Sequence, residues 1–389
     1  MVTVAIGIFW FLLGLIVYVY MGFPILVGVV GYFYNRRVRK QPFTPTVSLV
    51  IAAYNEEQSI AARLDNALAL AYPPDALEII IASDGSDDAT AEIVATYASR
   101  GVRLLDLPRR GKIHALNDAV AQATGDILVF SDANTDFGSE ALRHLVENFA
   151  DGTVGGVAGR KIYTILAGSD SSSHGEHLYW SYDIWLKQMQ SLTGSIVSAD
   201  GAIYAIRREL YQPLKDSAVT DDFAISTAVI EQGYRLVFER NACAYEEAIP
   251  QAHREFRRKV RLMTRGLRGL ILRRRLLNPL QHGFYALQLL SHKLLRRLVP
   301  VFLLVMLLMS LIASSSSVLF GGVVVAQLAF YTLGGIGFAC RHTSIGRQKC
   351  FYVPFFYCLA NAAALIALIQ LLRGQHIELW QPQRHNVNT

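Results

Sequence analysis

The chain has 389 residues, 52% of them hydrophobic, and a formal net charge of +6. It is too long for one ordinary hydrophobic core and too apolar to be wholly soluble. Its basic runs stand beside the apolar ends, so lipid is the expected polyanionic partner and nucleic acid is not.

Met1 to Tyr34 holds no charged side chain, and Asn35-Arg-Arg-Val-Arg-Lys40 follows directly. A secretory signal has roughly 7–15 apolar residues behind positive charge; this stretch is far longer and carries its charge in front. Residues 1–40 therefore read as a membrane anchor with the cytoplasm on the Arg36 side. One span needs roughly 20 residues, so a tilted or Pro24-bent helix is expected, a tight hairpin being the other option. The four cysteines form no CxxC pair, which fits a reducing cytosolic face.

After a linker at 41–46, apolar runs alternate with helical patterns. Strands are expected at Val47–Ala53, Leu77–Ala82, Arg103–Leu105 and Ile127–Phe130, with helices up to Leu70, over Ala89–Ser99 and over Lys112–Gln122. Such alternation means βαβ units and a mostly parallel sheet with helices on both faces. Each strand stops at polar residues, which gather along the carboxyl edge where open α/β sheets bind ligands.

Three clusters lie on that edge. Asp132, Asn134 and Asp136 follow the fourth strand, and hard oxygen donors there suit Mg²⁺ or Mn²⁺ completed by substrate phosphates, or simply cap a strand end. In Asp84-Gly-Ser-Asp-Asp88, Asp84 is suited to accept from a base N–H or ribose hydroxyl, while Asp87 or Asp88 caps the next helix. Pro108-Arg-Arg-Gly-Lys112 brings cations to a helix N-terminus, which favours a diphosphate.

Beyond Val154 the alternation fades. A strand is expected over Val157–Lys161, a Ser-rich loop over Gly168–Ser173, an aromatic helix over His177–Met189, and a glycine turn plus strand over Asp200–Arg208. Thr220-Asp-Asp222 opens a helix over Phe223–Gln232. It reads either as an N-cap with first-turn acids or as a carboxylate aimed into a cleft as general base. From Arg254 to Arg297 arginines and lysines interleave with leucines, as in a basic helix in the headgroup plane. Spans are expected at Leu298–Ile312, Val318–Ala339 and Tyr352–Leu372, about four in all, with a turn at Ser314–Ser317 and a cytoplasmic loop marked by Arg341, Arg347 and Lys349. Pro354 and Asn361 leave the last segment open to a re-entrant form, and Trp380 to a role as interfacial anchor.

Taken in order over Val47–Gly266, the motifs resemble family 2 glycosyltransferases of the membrane-embedded kind, which include hyaluronan, chitin and cellulose synthases. Val50-Ile-Ala-Ala-Tyr-Asn-Glu-Glu57 resembles the nucleotide-holding strand and loop, which implies roles for Ala53, Tyr54 and Glu56. Ser83-Asp-Gly-Ser86 resembles the second nucleotide turn, with Asp84, and Gly111-Lys-Ile-His-Ala-Leu-Asn117 the diphosphate element, with Lys112. Ser131-Asp-Ala-Asn134 resembles the metal-binding DxD site, which implies Asp132 and Asn134 as ligands of Mg²⁺ or Mn²⁺. Asp200-Gly-Ala-Ile-Tyr204 resembles the acceptor loop. Thr220-Asp-Asp222 resembles the motif whose last carboxylate is the base, placing that role on Asp222 beside Asp221. Arg258-Lys-Val-Arg-Leu262 resembles the Gln-x-x-Arg-Trp motif of processive members, but Leu262 replaces the stacking Trp; Arg258 and Arg261 remain for the donor's diphosphate.

The resemblance implies a GT-A-like, Rossmann-type domain over 41–253, interfacial helices over 254–297 and transmembrane helices over 298–389. It also implies an inverting transferase in the plasma (inner) membrane, with its catalytic domain in the cytoplasm. Its partners would be a nucleotide diphosphate sugar, expected to be UDP-linked, a glycan or polyprenyl-linked acceptor, and the bilayer. The alternatives are a processive synthase that exports its polymer and an inactive nucleotide-sugar-binding subunit.

Overall fold

The computed structural model describes residues 1–164, 173–215, 219–247, 252–341, 343–346 and 348–374. Residues 168–172 of the expected Ser-rich loop, Arg347 and Trp380 lie outside them. The strands are β1 (Val47–Ala53), β2 (Leu77–Asp84), β3 (Val102–Leu107), β4 (Ile127–Asp132), β5 (Asp136–Phe137), β6 (Val154–Thr164), β7 (Tyr204–Arg207) and β8 (Arg235–Glu247). They form one sheet in the order β3-β2-β1-β4-β7-β6-β8-β5.

The first four strands are parallel, with Ala53 opposite Ser83 and Ala52 opposite Asp132. Their carboxyl ends are therefore level, which puts Tyr54, Asp84 and Asp132 on one edge. β1 is buried along its whole length because helices cover both faces. Ile60–Leu68 (α2) and Ala141–Val146 (α5) pack on one face, and Lys112–Gln122 (α4) and Asp221–Glu231 (α7) on the other.

The other half adds antiparallel pairs to the mostly parallel sheet, which is therefore mixed: β7 runs against both β4 and β6, and β5 against β8, while β6 and β8 are parallel. An antiparallel strand starts where its neighbour ends. With Phe130 opposite Tyr204, the residues entering β7, Asp200 and Gly201, stand beside those leaving β4. β8 was not evident in the sequence because Glu239-Arg-Asn241 breaks its pattern. Glu239 is nonetheless buried, paired with Lys40 from the linker and within reach of Asn148 Nδ2 at 3.3 Å.

Val2–Tyr34 (α1) is one continuous 33-residue helix and not a hairpin. A π-turn at Tyr18–Gly22 sits just ahead of Pro24, which lacks the N–H to continue a regular ladder. Four helices among the described residues are long and apolar enough to cross a membrane: α1, Pro279–Ser314 (α9), Val318–Ala339 (α10) and Lys349–Leu372 (α11). The 254–297 segment is thus divided. Its first part belongs to the amphipathic helix Ala252–Leu272 (α8), and the rest leads into α9, which starts well before the expected Leu298: Asn278 caps a first turn opened by Pro279, and the helix continues beyond a kink at Gly283 (φ 52°). The last segment is one unbroken helix, not a re-entrant one. α8 leaves Leu262, Ile271 and Leu272 exposed, and Thr264 Oγ1 donates to Gln370 Oε1 of α11 at 2.9 Å.

Candidate active site

The loops after β1 and β2 are clamped to each other. Asn55 takes a left-handed backbone (φ 52°), which Asn tolerates, and its Oδ1 accepts from Asp87 N–H at 3.0 Å. Glu56 is buried: its N–H donates to Thr90 Oγ1 at 2.8 Å and its Oε2 accepts from Ser59 Oγ at 2.6 Å. Asp88 accepts from Thr90 N–H at 2.9 Å just ahead of the helix Thr90–Ala95, whose N-cap position is Ala89 and carries no side-chain cap, so neither Asp87 nor Asp88 holds the N-cap position itself. Asp84 is buried and receives the 109–111 loop, accepting from Arg110 N–H at 2.8 Å, Gly111 N–H at 2.9 Å and the Arg109 guanidinium. Gly85 makes that approach possible: its φ is +64°, and a Cβ there would stand 2.6 Å from Arg109 N. Arg109 in turn lies 3.4 Å over the ring of Tyr54, and Ala53 ends β1 beneath them. Asn55 and Arg109 were not singled out in the sequence, although φ-tolerant Asn after a strand is a readable signal.

At the centre, Lys112 opens α4 and its ammonium bridges Asp132 Oδ1 at 2.7 Å and Asp221 Oδ2 at 3.0 Å. Burial alone would lower the Lys112 pKa, but the two carboxylates outweigh it and hold the ammonium charged. Asp221 is partly buried, which would raise its pKa; Lys112 and Arg265 pull it below the ordinary range. Asp222 is placed the opposite way. Burial, then the charges of Asp221 and Asp200, push its carboxyl up to about 6, although its Oδ1 accepts from Phe223 N–H at 2.7 Å. Two adjacent acids are thus shifted in opposite directions, the arrangement that separates a structural carboxylate from a proton acceptor. Thr220 makes no side-chain cap to α7, and Arg265 fixes the entry by donating Nε–H to Val219 O at 3.1 Å.

Asp132 and Asp222 meet across Gly201. A Cβ at Gly201 would lie 3.5 Å from Asp132 Oδ2 and 3.9 Å from Asp222 Cβ. Asp200 is partly buried, which favours its neutral form, yet Lys161 and Lys187 lower its pKa; Ala202 N–H donates to it at 3.1 Å. Lys161 pairs with Glu246, and Arg258 Nη2 donates to Tyr163 OH at 3.1 Å. Burial and the neighbouring Arg265 and Arg258 push Arg261 down, and it has no ion-pair partner among the described residues. Tyr204, which closes the acceptor-loop motif but was given no role of its own in the sequence, places a buried hydroxyl without a hydrogen-bond partner among the described residues; burial and then Asp221 raise its pKa well above the ordinary value.

For a metal, the donor set is one carboxylate, Asp132, and the half-buried amide of Asn134. Asp136 instead pairs into the edge strand β5, opposite Tyr245. Among the described residues no group of three or more His, Cys, Asp or Glu could hold an ion alone. That set fits Mg²⁺ or Mn²⁺, which take one or two carboxylates and fill their shell from substrate phosphates, and does not fit a structural zinc. The Lys112 ammonium already lies on Asp132, so the site accepts positive charge.

Residues 48–214 match the family model described as Glycosyl transferase family 2. A poly-beta-1,6-N-acetyl-D-glucosamine synthase of Staphylococcus aureus is 29% identical over 240 residues, 57% of each chain. That of Staphylococcus epidermidis is 28% identical over 252 residues, 58% of each. The chain thus spans a little over half the length of these curated relatives. A mannosyltransferase from Pyrobaculum calidifontis, solved with GDP-Man and Mn²⁺, superposes with a TM-score of 0.72 at 20% identity, over 95% of this chain and 100% of that one. The fold is therefore GT-A-like, with apolar helices added.

Proposed function

We infer from the match of residues 48–214 to the glycosyl transferase family 2 model that the chain belongs to that family and moves a sugar from a nucleotide diphosphate sugar to an acceptor at the membrane. The donor in this reading is UDP-linked, the acceptor is a glycan or a polyprenyl-linked sugar, and the anomeric centre inverts. One observation carries it: a carboxyl at about 6, Asp222, stands across Gly201 from Asp132 and its Lys112 bridge.

Asp222 takes the proton of an acceptor hydroxyl as that oxygen attacks the anomeric carbon from one face. The bond from the anomeric carbon to the diphosphate oxygen breaks on the other, and the diphosphate leaves with the electron pair. Lys112 and Arg261 stabilise the charge that grows there. Asp221 keeps Lys112 oriented, Asp200 lines the acceptor side, and Arg258 serves the donor's diphosphate. A Mg²⁺ or Mn²⁺ on Asp132 and Asn134 would add charge neutralisation on the diphosphate. Ala53, Tyr54, Glu56 and Asp84 belong to the nucleotide end. The cytosolic face of the inner membrane is the expected location, with Arg36-Arg-Val-Arg-Lys40 on that side.

The test is release of nucleoside diphosphate from UDP-sugars by the detergent-purified chain with Mn²⁺ or Mg²⁺. Sugar-dependent release supports transfer, whereas nucleotide binding without any release or transfer would identify an inactive binding subunit. A second reading, a processive synthase, is favoured by the two staphylococcal relatives, which are polymer synthases by name. Product length separates the two: one added sugar agrees with the first reading, a ladder with the second.

A further inference from the structure

One arginine lies where the pattern of α2 calls for an apolar side chain. Ile60, Leu64 and Ala67 are buried along one stripe of the helix, and Arg63 falls on the same stripe with 1% of its surface exposed. Arginine is almost never fully buried unless paired, because its charge is costly to take out of water. Beyond α2 its contacts lie on one segment, the turn between β4 and β5 that carries Asp132 and Asn134.

Arg63 Nη2 donates to Ser131 Oγ at 3.2 Å, at the start of that turn, and the guanidinium lies 4.5 Å over the ring of Phe137 at its end. Nη1 donates to Asn66 Oδ1 at 2.9 Å, one turn further along α2. Asn66 in turn holds the Phe137 backbone twice: Phe137 N–H donates to its Oδ1 at 2.8 Å, and its Nδ2 donates to Phe137 O at 2.9 Å. Ser131 Oγ also donates to Asp132 O at 3.0 Å, which ties the first end of the turn to the metal-binding carboxylate's own backbone. Burial disfavours the Arg63 charge, and Asp136, on the same turn, offsets it. An apolar side chain of equal length would fill the same space and make none of these bonds. Core packing alone therefore does not account for the guanidinium.

We propose that Arg63 and Asn66 are positioning residues for the metal site. They hold Ser131 and Phe137 to one face of α2, which fixes the turn between them and keeps Asp132 and Asn134 in one arrangement. The proposal rests on the transferase reading for the metal and adds to it two residues that touch neither metal nor substrate. Ligands fixed in advance need no ordering when the cation arrives, and that saving appears as affinity.

The test titrates the full chain in neutral detergent with Mn²⁺ at saturating UDP, following free Mn²⁺ by electron paramagnetic resonance, and separately with UDP in EDTA. Arg63→Met keeps the length of the side chain but not its donors, and Asn66→Ala frees the Phe137 backbone. Each should weaken Mn²⁺ binding by about tenfold or more while UDP affinity in EDTA stays within about twofold. Amide hydrogen exchange should rise over 131–137 and stay unchanged over 84–111. If either variant fails to fold, Ser131→Ala, which removes only the acceptor of Arg63 Nη2, should still weaken Mn²⁺ binding by about threefold. Wild-type Mn²⁺ affinity in the variants that fold, unchanged exchange over 131–137, or an equal loss of UDP affinity in EDTA overturns the proposal. If the unaltered chain takes up no Mn²⁺ with UDP present, the metal assignment of the transferase reading fails and the proposal with it, whereas exchange over 131–137 shows separately whether the two residues hold the turn.

Discussion

Asp222 is the residue on which chemistry and stability pull in opposite directions. Its folded-state pKa is raised to about 6, above the ordinary 3.8, by burial, then Asp221, then Asp200. As a base it must be ionised, so turnover is expected to fall as pH drops through about 6 and to level off above it; a pH profile of kcat checks this. The linkage has the opposite sign. The native state binds this proton more tightly than the unfolded chain, so the raised pKa stabilises the fold least above about 6, where a disfavoured charge must be kept. Asp222→Asn removes that charge and should raise stability at pH 8 by on the order of 2 kcal/mol, read as a higher Tm in detergent. An unchanged or lower Tm would contradict the burial argument. Lys112 behaves in reverse. Lys112→Met leaves Asp132 and Asp221 facing each other without their cation, and should destabilise by about 3 kcal/mol or more and weaken nucleotide diphosphate binding.

At the level of elements, what the sequence revealed and what it hid have the same cause. Lys112–Gln122 and Val47–Ala53 were readable to their ends because local pattern and tertiary burial agree there. β8 was not, because the burial of Glu239 depends on Lys40 and Asn148, residues distant in sequence, besides the local Asn241 N–H at 3.0 Å. The site residues were readable as polar stops after strands. Their division of labour was not: Asp84 spends its oxygens on Arg110 and Gly111, Glu56 on Ser59, and Asp136 belongs to an edge strand, all settled by loop packing. Gly85→Ala tests that packing. A Cβ cannot fit 2.6 Å from Arg109 N at φ +64°, so the 109–111 loop should lose its seat on Asp84 and nucleotide affinity should drop at least about tenfold. Titration with UDP checks it, and wild-type affinity would show that the loop does not serve the donor.

For the whole molecule, the antiparallel entry of β7 and the membrane helices serve one arrangement: the sheet's carboxyl edge carries Asp132, and Asp222 opens a helix packed beside α8 and α9. Four apolar helices predict a protein that stays with membranes through high salt and alkaline washes and needs detergent for release; release by salt alone would contradict it. The central claim is that Asp132 and Asp222 serve one reaction in different capacities. It is tested most directly by measuring Mn²⁺-dependent UDP-sugar binding and nucleoside diphosphate release side by side for the unaltered chain, Asp132→Ala and Asp222→Asn. The expected result is that Asp132→Ala loses metal-dependent donor binding, while Asp222→Asn binds donor normally and turns over about 10²-fold to 10⁴-fold more slowly. Normal turnover by Asp222→Asn would contradict the account.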